Sequence, residues 1–465
     1  MEELQLQPDV HTALVESFPK NSSNLSHLLK ILCRPPLFST LRINLQLTDI
    51  TTAIEALRGV LAEQCKLTGM AEFTLYQHPV IDDCIIIENR GPFSLPQVEK
   101  EIVVDLSCGM AVLRGANVFA QGIMACPQNL RAGDTVSVFS DLDGKCLKGF
   151  AGKYPGRKFH VGNGVAQVAR SDLFNASGGV RGIGILMTQP VYEAPAMNDL
   201  PFPWVFSQNL PSMACAHFLG PQPGERVLDM CAAPGGKTSH IAALMKNSGV
   251  VVALEKSSER ASKMSNLMEK LGLDNVKCFQ FDSTKAVSDI SGPDDSPPYL
   301  PASFDRVLVD APCSALGQRP CAVNRLSLNQ LKSYPVLQHK ILLSAVQLVR
   351  PGGVLVYSTC TVCVDENEDQ VARLLTKCPD LELCDAPHKL GGPGLPGSKL
   401  KSELLSKVQR FDPSIQLTQP DVRECYNVDT IGFFIAVFRK RSSPDVYQHV
   451  KSEGSPGDKR QGKIT

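Results

Sequence analysis

At 465 residues, 43% hydrophobic and 20% charged, the chain is globular and too long for one ordinary core, so more than one domain is expected. Its 47 Lys and Arg balance 47 Asp and Glu, leaving no whole-molecule field to draw in a polyanion; contact with nucleic acid has to come from a local patch. No apolar run approaches the ~20 residues of a membrane span, "MEELQLQPDV" lacks a signal-peptide pattern, and the 16 scattered cysteines include one C-x-x-C, Cys360 and Cys363, with no partner pair for zinc. These features predict a cytoplasmic, reducing setting with free thiols, no membrane, no metal and no disulfide framework.

Residues 1–107 mix helical and strand patterns. "HLLKILC" (27–33) has helical spacing and stops before Pro35-Pro36, "STLRINLQL" (39–47) alternates as a strand, and "DITTAIEALRGVLAEQ" (49–64) is an amphipathic helix with Asp49 or Thr51 as N-cap. Over 108–203 the character changes to short β-like runs between glycines: "AVLRGANVFAQGI", "AGDTVSVFS", "NGVAQVARSDLF" and "RGIGILMTQPVY" predict a small barrel or sandwich. Within it "GKCLKGFAGKYPGRKFH" (144–160) carries five cations, no acid and interleaved aromatics. Against the plain alternative of a solvated loop, Lys145, Lys148, Lys153, Tyr154, Arg157 and Lys158 are the expected RNA contacts.

Over 204–440 strands alternate with helices. "RVLDM" (226–230) leads through a Gly-rich loop to the helix "KTSHIAALMKNSG", and "VVVALE" (250–255) leads to "SSERASKMSNLMEKLG", capped by Ser257 or Ser258. "NVKCFQFD" (275–282), "FDRVLVDAP" (304–312), a helix from 328 with a break expected at Pro335, "GVLVYSTCT" and "IGFFIAVFRK" follow. The set predicts an α/β domain with a doubly wound, mostly parallel sheet. The polar tail, 441–465, is expected to be disordered.

The sharpest local pattern is "VLDMCAAPGGKTSH" (227–240), a strand ending in an acid and a Pro-Gly-Gly turn into a helix. A Walker A loop needs glycine where Cys231 stands, and G-x-G-x-x-G is absent. Asp229, Glu255, Asp282 and Asp310 end four successive strands. Each alone reads as a turn or cap, but together they suit an adenosine bearing a cationic group and repel a triphosphate. S-adenosylmethionine is the simplest such cofactor, across a Rossmann-like strand rim.

"DAPCSALGQRP" (310–320) places Cys313 three residues beyond Asp310, and "VYSTCT" places Cys360 just after the next strand. Free cysteine is most often a small core residue. A methyltransferase uses a thiol when the acceptor carbon is a poor nucleophile, as C5 of a pyrimidine is. Thiolate addition at C6 makes C5 electron-rich, an acid near N3 and O2 such as Asp310 assists, and elimination frees the product. The base has to leave its stack, which is cheapest at a helix end.

"DMCAAPGGKT", "DAPCS", "PGGVLVYSTCT" followed by "ENE" (366–368), and "SQNLPSM" (207–213) resemble, in order and spacing, the motifs of the Sun-domain RNA cytosine-5 methyltransferases. The resemblance implies Cys360 as nucleophile, Cys313 in product release, and Lys237 and Asp310 in the catalytic pocket. It also implies cofactor contacts from Cys231, Ala232, Ala233, Pro234, Gly235, Gly236, Lys237, Glu255, Asp282 and Asp310. Ala315 stands where the family usually has glycine, and Glu255 where aspartate is common. Residues 108–195 are similar to a PUA domain, and "RPPLFSTLRIN" (34–44) agrees with the PUA-containing tRNA branch. That branch implies methylation of cytosine 72 at the acceptor-stem end and reading of the CCA tail; a monomer is expected. Cys363, His217, His240 and His339 are expected to be structural, and Asp365, Glu366 and Glu368 to cap the helix after the nucleophile loop. The rivals are an RNA-binding scaffold on a degenerate methyltransferase fold, an enzyme acting on an exocyclic amine or oxygen, and methylation of another RNA class.

Overall fold

The computed structural model describes residues 3–18, 25–174, 180–197, 200–415 and 427–442. Helices α1 (Pro8–Ser17) and α2 (Leu25–Leu32) open the chain. Their apolar faces (Val10, Leu14, Leu28, Leu29, Leu32) pack onto Leu316, Val362 and Cys363, beside the loops that carry Cys313 and Cys360. Strand β1 (Phe38–Ile43) stops at Ile43, short of the expected 47. There Asn44 turns the chain: its side chain accepts from the Gln46 amide (3.1 Å) and its carbonyl from the Leu47 amide (3.0 Å). Helix α3 (Ile50–Thr68) is capped by Asp49, whose carboxylate accepts from the Thr51 and Thr52 amides. Strands β2 (Leu75–Gln77) and β3 (Cys84–Glu88) complete this segment.

The second unit contains β4 (Glu101–Val104), α4 (Leu106–Val112), β5 (Val118–Phe119), β6 (Ile123–Ala125), β7 (Thr135–Asp141), β8 (Lys158–Ala166), α5 (Arg170–Leu173) and β9 (Ile183–Pro190). The sheet order is β5-β9-β8-β7-β4-β6. Because β4 belongs to this sheet, the unit begins ahead of the expected border at 108. The start of "AVLRGANVFAQGI" is the end of α4, capped by Asp105 at the Cys108 amide (2.8 Å), rather than strand. Among the described residues the strand order does not close into a barrel. Edges β5 and β6 are joined by the 3-10 turn Ala120–Gly122 without pairing to each other.

In the third unit β10 (Val205–Ser207) turns back to β1, giving a sheet β10-β1-β3-β2 that bridges the first segment to the rest. Then come α6 (Leu210–Leu219), β11 (Arg226–Asp229), α7 (Gly236–Leu244), β12 (Val250–Glu255), α8 (Ser258–Lys270), β13 (Val276–Gln280), β14 (Phe304–Asp310), α9 (Leu328–Leu348) and β15 (Val349–Thr359). Last are α10 (Glu368–Lys377), β16 (Leu381–Cys384), β17 (Gln409–Phe411) and β18 (Phe433–Lys440). The eight-stranded sheet runs β13-β12-β11-β14-β15-β18-β16, with β17 also on β18. Neighbours from β13 to β15 are parallel and β18 is antiparallel. Met213, Phe218, Ile241 and Met264 fill one face; Leu342, Ala345, Tyr357 and Phe434 fill the other. Strand order reverses between β11 and β14, so a crevice opens at their carboxyl ends.

Helix α9 continues through Pro335, where a break was expected. Its apolar row Ile341, Leu342, Ala345 and Leu348 lies in the core, and the Pro335 carbonyl accepts from the Gln370 side chain, so packing outweighs the lost amide donor. Strands β16 and β17 were not foreseen. The tail beyond 442 lies outside the described residues.

Glu368 does not cap α10. It is fully buried and accepts from Arg410 Nη1 at 3.0 and 3.1 Å, while Arg410 Nη2 donates to the Val362 carbonyl (2.5 Å). Glu368→Gln strands a buried guanidinium and is expected to cost about 3 kcal/mol. A clear drop in the urea midpoint checks this; an unchanged midpoint contradicts it.

Candidate functional site

The Gly-rich loop hangs between two strand ends. The Met230 amide donates to the Leu308 carbonyl (3.0 Å) and the Ala232 amide to Leu254 (2.9 Å), and Gly235 closes the turn onto the Ala232 carbonyl (2.8 Å). Gly235 sits at φ +107°, which side-chain-bearing residues avoid. Helix α7 then starts at Gly236 with its free amides toward the crevice. Asp229, wholly buried, accepts from Thr238 Oγ1 (2.8 Å) and the Cys231 amide (3.3 Å). Burial nevertheless pushes its carboxyl up to about 7.

Along the rim, Glu255 accepts from the Ser257 amide (2.8 Å) and faces Arg260 Nη1 at 3.3 Å. Arg260 Nη2 also donates to the Ala233 carbonyl (2.6 Å), tying this acid to the loop. Asp282 accepts from Thr284 and, at 3.0 Å, from Lys256. Burial acts to raise its carboxyl, but these donors outweigh it and hold it below the usual range. With Asp229 and Asp310, the acids occupy the ends of four adjacent strands, as the sequence reading expected. Arg260 escaped that reading; its place in the first turn of α8, just after Glu255, is the only signal it leaves.

Asp310 is bound from two sides. Its Oδ2 accepts from Lys237 Nζ at 2.7 Å and its Oδ1 from Ser358 Oγ at 2.7 Å. Burial alone would neutralise Lys237, but the Asp310 charge outweighs it and keeps the ammonium protonated. Phe433 lies under that ammonium, its ring centre 5.3 Å away. Next to this pair the Cys313 and Cys360 sulfurs are 3.4 Å apart. The S–H of Cys313 hydrogen-bonds Cys360 and lowers its pKa against the opposing effects of burial and Asp310. The same bond, followed by burial, raises Cys313 well above an ordinary thiol. Of the two sulfurs, Cys360 is therefore the more acidic.

Two loops are locked together to hold this contact. Buried Glu366 accepts from the Ser314 amide (3.0 Å) and the Gln338 side chain (2.8 Å). Ser314 Oγ meets Thr361 Oγ1 at 2.6 Å, and Asn367 binds both Thr359 Oγ1 (2.5 Å) and the Thr361 carbonyl (2.9 Å). The expectation that Glu366 caps α10 is thus corrected: it orders the thiol loops. The Gly317 amide donates to the Cys360 carbonyl (3.0 Å), and a Cβ on Gly317 would run into the Gly432 carbonyl oxygen. Ala315 adopts φ +55°, a conformation glycine takes without strain. Buried Arg319 ties this segment to Asp429 (2.7 Å) and to the Arg34 carbonyl (3.0 Å).

The expected RNA contacts divide. Lys145, Lys148 and Lys153 are exposed. Tyr154 is buried, its hydroxyl donating to Asp141 (3.1 Å), because it plugs a small core with Val103, Ala125 and Cys146. Arg157 pairs with Asp143 (2.5 Å) and Lys158 with Glu101, acids just outside the basic run or distant in sequence. His217 and His240, without metal spacing in the sequence, meet at Asp83. Their Nε2 atoms lie 2.8 and 2.7 Å from its two oxygens, each spent on its own partner.

The donor set fits S-adenosylmethionine: carboxylates stand where hydroxyls and cationic groups bind, and Lys237 is committed to Asp310 rather than free for phosphate. Fold and site together define an S-adenosylmethionine-dependent methyltransferase with a paired-thiol centre. Residues 216–411 match the family model for 16S rRNA methyltransferase RsmB/F, and 100–180 match the PUA domain. The chain is 41% identical to "tRNA (cytosine(72)-C(5))-methyltransferase NSUN6" of Mus musculus, over 95% of this chain and 97% of that one. It is 41% identical to the Homo sapiens protein of the same name, over 95% and 98%. A solved structure of NSun6 from Pyrococcus horikoshii with SFG, an S-adenosylmethionine analogue, superposes with TM-score 0.73 at 29% identity, covering 94% of this chain and 99% of that one. The chain belongs to the Sun-domain family of RNA cytosine-5 methyltransferases.

Asp229 predicts a pH dependence. Its folded pKa of about 7 lies above the ordinary 3.8, so its contribution to stability is intact below about 3.8 and is lost as pH rises through 7. Without cofactor, Asp229→Asn should gain on the wild type by a few kcal/mol between pH 4 and 8. Urea midpoints across that range check it; a pH-independent difference contradicts it.

Proposed function

We propose that the chain methylates C5 of cytosine 72 at the acceptor-stem end of tRNA, through a covalent bond from Cys360 to C6. The observation that carries the reading is the 3.4 Å thiol pair beside the Lys237–Asp310 ion pair. An amine or oxygen methyltransferase has no use for it, and a degenerate scaffold no need to keep it. The tRNA substrate follows from the relatives' names. The PUA match and the exposed Lys145, Lys148 and Lys153 support contact with the acceptor stem and CCA end.

The residues ahead of β4 act as an RNA-recognition segment packed on the catalytic domain at 204–440, and the PUA module begins with β4 and runs to 203. The enzyme works as a cytoplasmic monomer; among the described residues no helix is long and apolar enough to cross a membrane.

Cys231–Lys237, Glu255, Asp282 and Asp310 hold S-adenosylmethionine, which supplies the methyl group to C5 as a sulfonium electrophile. The Cys360 thiolate adds to C6, and the C5–C6 π pair shifts into the ring. The Lys237–Asp310 pair faces N3 and supplies the proton that N3 takes up. Once Cys360 is bonded to carbon, the main cause of the raised Cys313 pKa is gone. Cys313 then loses its proton to solvent and takes the C5 proton. The C5–H electrons re-form the C5=C6 bond, N3 gives back its proton, and Cys360 leaves as thiolate.

Bisulfite sequencing of tRNA treated with the enzyme should show a new protected cytosine at position 72. Cys360→Ala should abolish it. Cys313→Ala should accumulate a protein–RNA adduct that survives denaturant. Activity in Cys360→Ala would overturn the nucleophile, and absence of an adduct in Cys313→Ala would overturn its role in release.

A further inference from the structure

The cofactor loop is gripped from behind by the N-terminal sheet. Arg42, on β1, is buried and leaves its own segment entirely. Its Nη1 donates to the Gly236 carbonyl (2.6 Å) and to Gln208 (2.7 Å), and its Nη2 to Ser239 Oγ (2.8 Å). Gly236 is the first residue of α7 and precedes Lys237. The guanidinium stacks on Phe206 of β10, 4.6 Å from the ring centre, and the same ring closes against Gly236, where a Cβ would sit 3.4 Å from it.

A second residue of that sheet completes the grip. Asp83, next to β3 and bonded through its carbonyl to the Ile43 amide (2.8 Å), binds His240 on α7 and His217 on α6. Burial pulls His240 down to about 4, so the imidazole is neutral at physiological pH. Burial lowers Arg42 to about 10 against the opposing charge of Asp83, so the guanidinium is still protonated. The loop is also held by backbone bonds, by Arg260, by Asp229 at the Cys231 amide and Thr238, and by Lys237 on Asp310. The carbonyl that ends the Gly-Gly turn is thus oriented by a side chain from another domain.

We propose that Arg42 is a positioning residue for S-adenosylmethionine. Acting through the Gly236 carbonyl and Ser239, it sets the angle of the cofactor loop, with Asp83 holding the other side of α7. This rests on the reading of the Gly-rich loop as the cofactor site. It carries a consequence for the RNA-facing segment: displacement of the N-terminal sheet is felt first as cofactor affinity.

The test is calorimetric titration of S-adenosylmethionine into the full-length protein without RNA, well below the melting temperature. It uses wild type, Arg42→Met, Arg42→Lys and Asp83→Asn, alongside steady-state KM for cofactor and for tRNA. Arg42→Met should weaken the cofactor about tenfold, the size expected for losing charge-assisted hydrogen bonds. Arg42→Lys, which keeps the charge but not the fork, should fall in between. KM for S-adenosylmethionine should rise with kcat and KM for tRNA little changed. Folded variants that bind the cofactor as the wild type does, with only a lower melting temperature, overturn the proposal. If Arg42→Met does not fold, the Arg42→Lys titration decides it. Failure of the wild type itself to bind overturns the cofactor-site reading instead.

Discussion

Two sulfur atoms from the loops that follow neighbouring strands β14 and β15, 3.4 Å apart in a largely buried pocket, are the contact around which the catalytic end is organised. A thiolate in such a place is unfavourable unless a donor faces it. Cys313 is that donor, and its own chain segment must be fixed to a fraction of an ångström. Glu366, Asn367, Thr361 and Ser314 do this by joining the two thiol loops, and the Gly317–Gly432 approach clamps them from the β18 side. Ala315 adds strain to the same turn, tolerated because its neighbours on both sides are hydrogen-bonded.

The Lys237–Asp310 pair supplies the opposite charge to the same space. Buried ion pairs give little net stability, since desolvation offsets attraction. Here the ion pair lies beside the two thiols, with Glu255 and Asp282 farther along the same rim. Asp229 is a different kind of acid. Buried with one hydroxyl and one amide for company, it braces the loop and is poised near neutrality.

Much of this was legible in the chain. Alternation of apolar strands with helices gave the parallel core, and the acids at strand ends fell where they had been expected because parallel strands place their carboxyl ends on one rim. The capping of α3 by Asp49 and of α8 by Ser257 follows from local chemistry alone. What escaped depends on long-range pairing. Arg157 and Lys158 of the basic run at 144–160 read as free charge only while Asp143 and Glu101 are overlooked. Asp83 meets His217 and His240 across 134 and 157 residues, a separation no spacing rule reaches. Glu366 and Glu368 looked like surface caps because acids at a helix start usually are, whereas tertiary packing buried both. Pro335 looked like a break because local backbone chemistry says so, and packing against β14 and β15 decided otherwise.

A tRNA carrying 5-fluorocytosine in its acceptor stem offers the most direct check on the chemistry, because fluorine cannot leave C5 as a proton does and the ring stays joined to the attacking sulfur. Mass spectrometry of the trapped complex should map the RNA-bearing peptide to Cys360. A crosslink on Cys313, or none while S-adenosylmethionine is still consumed, would contradict the assignment of the two thiols.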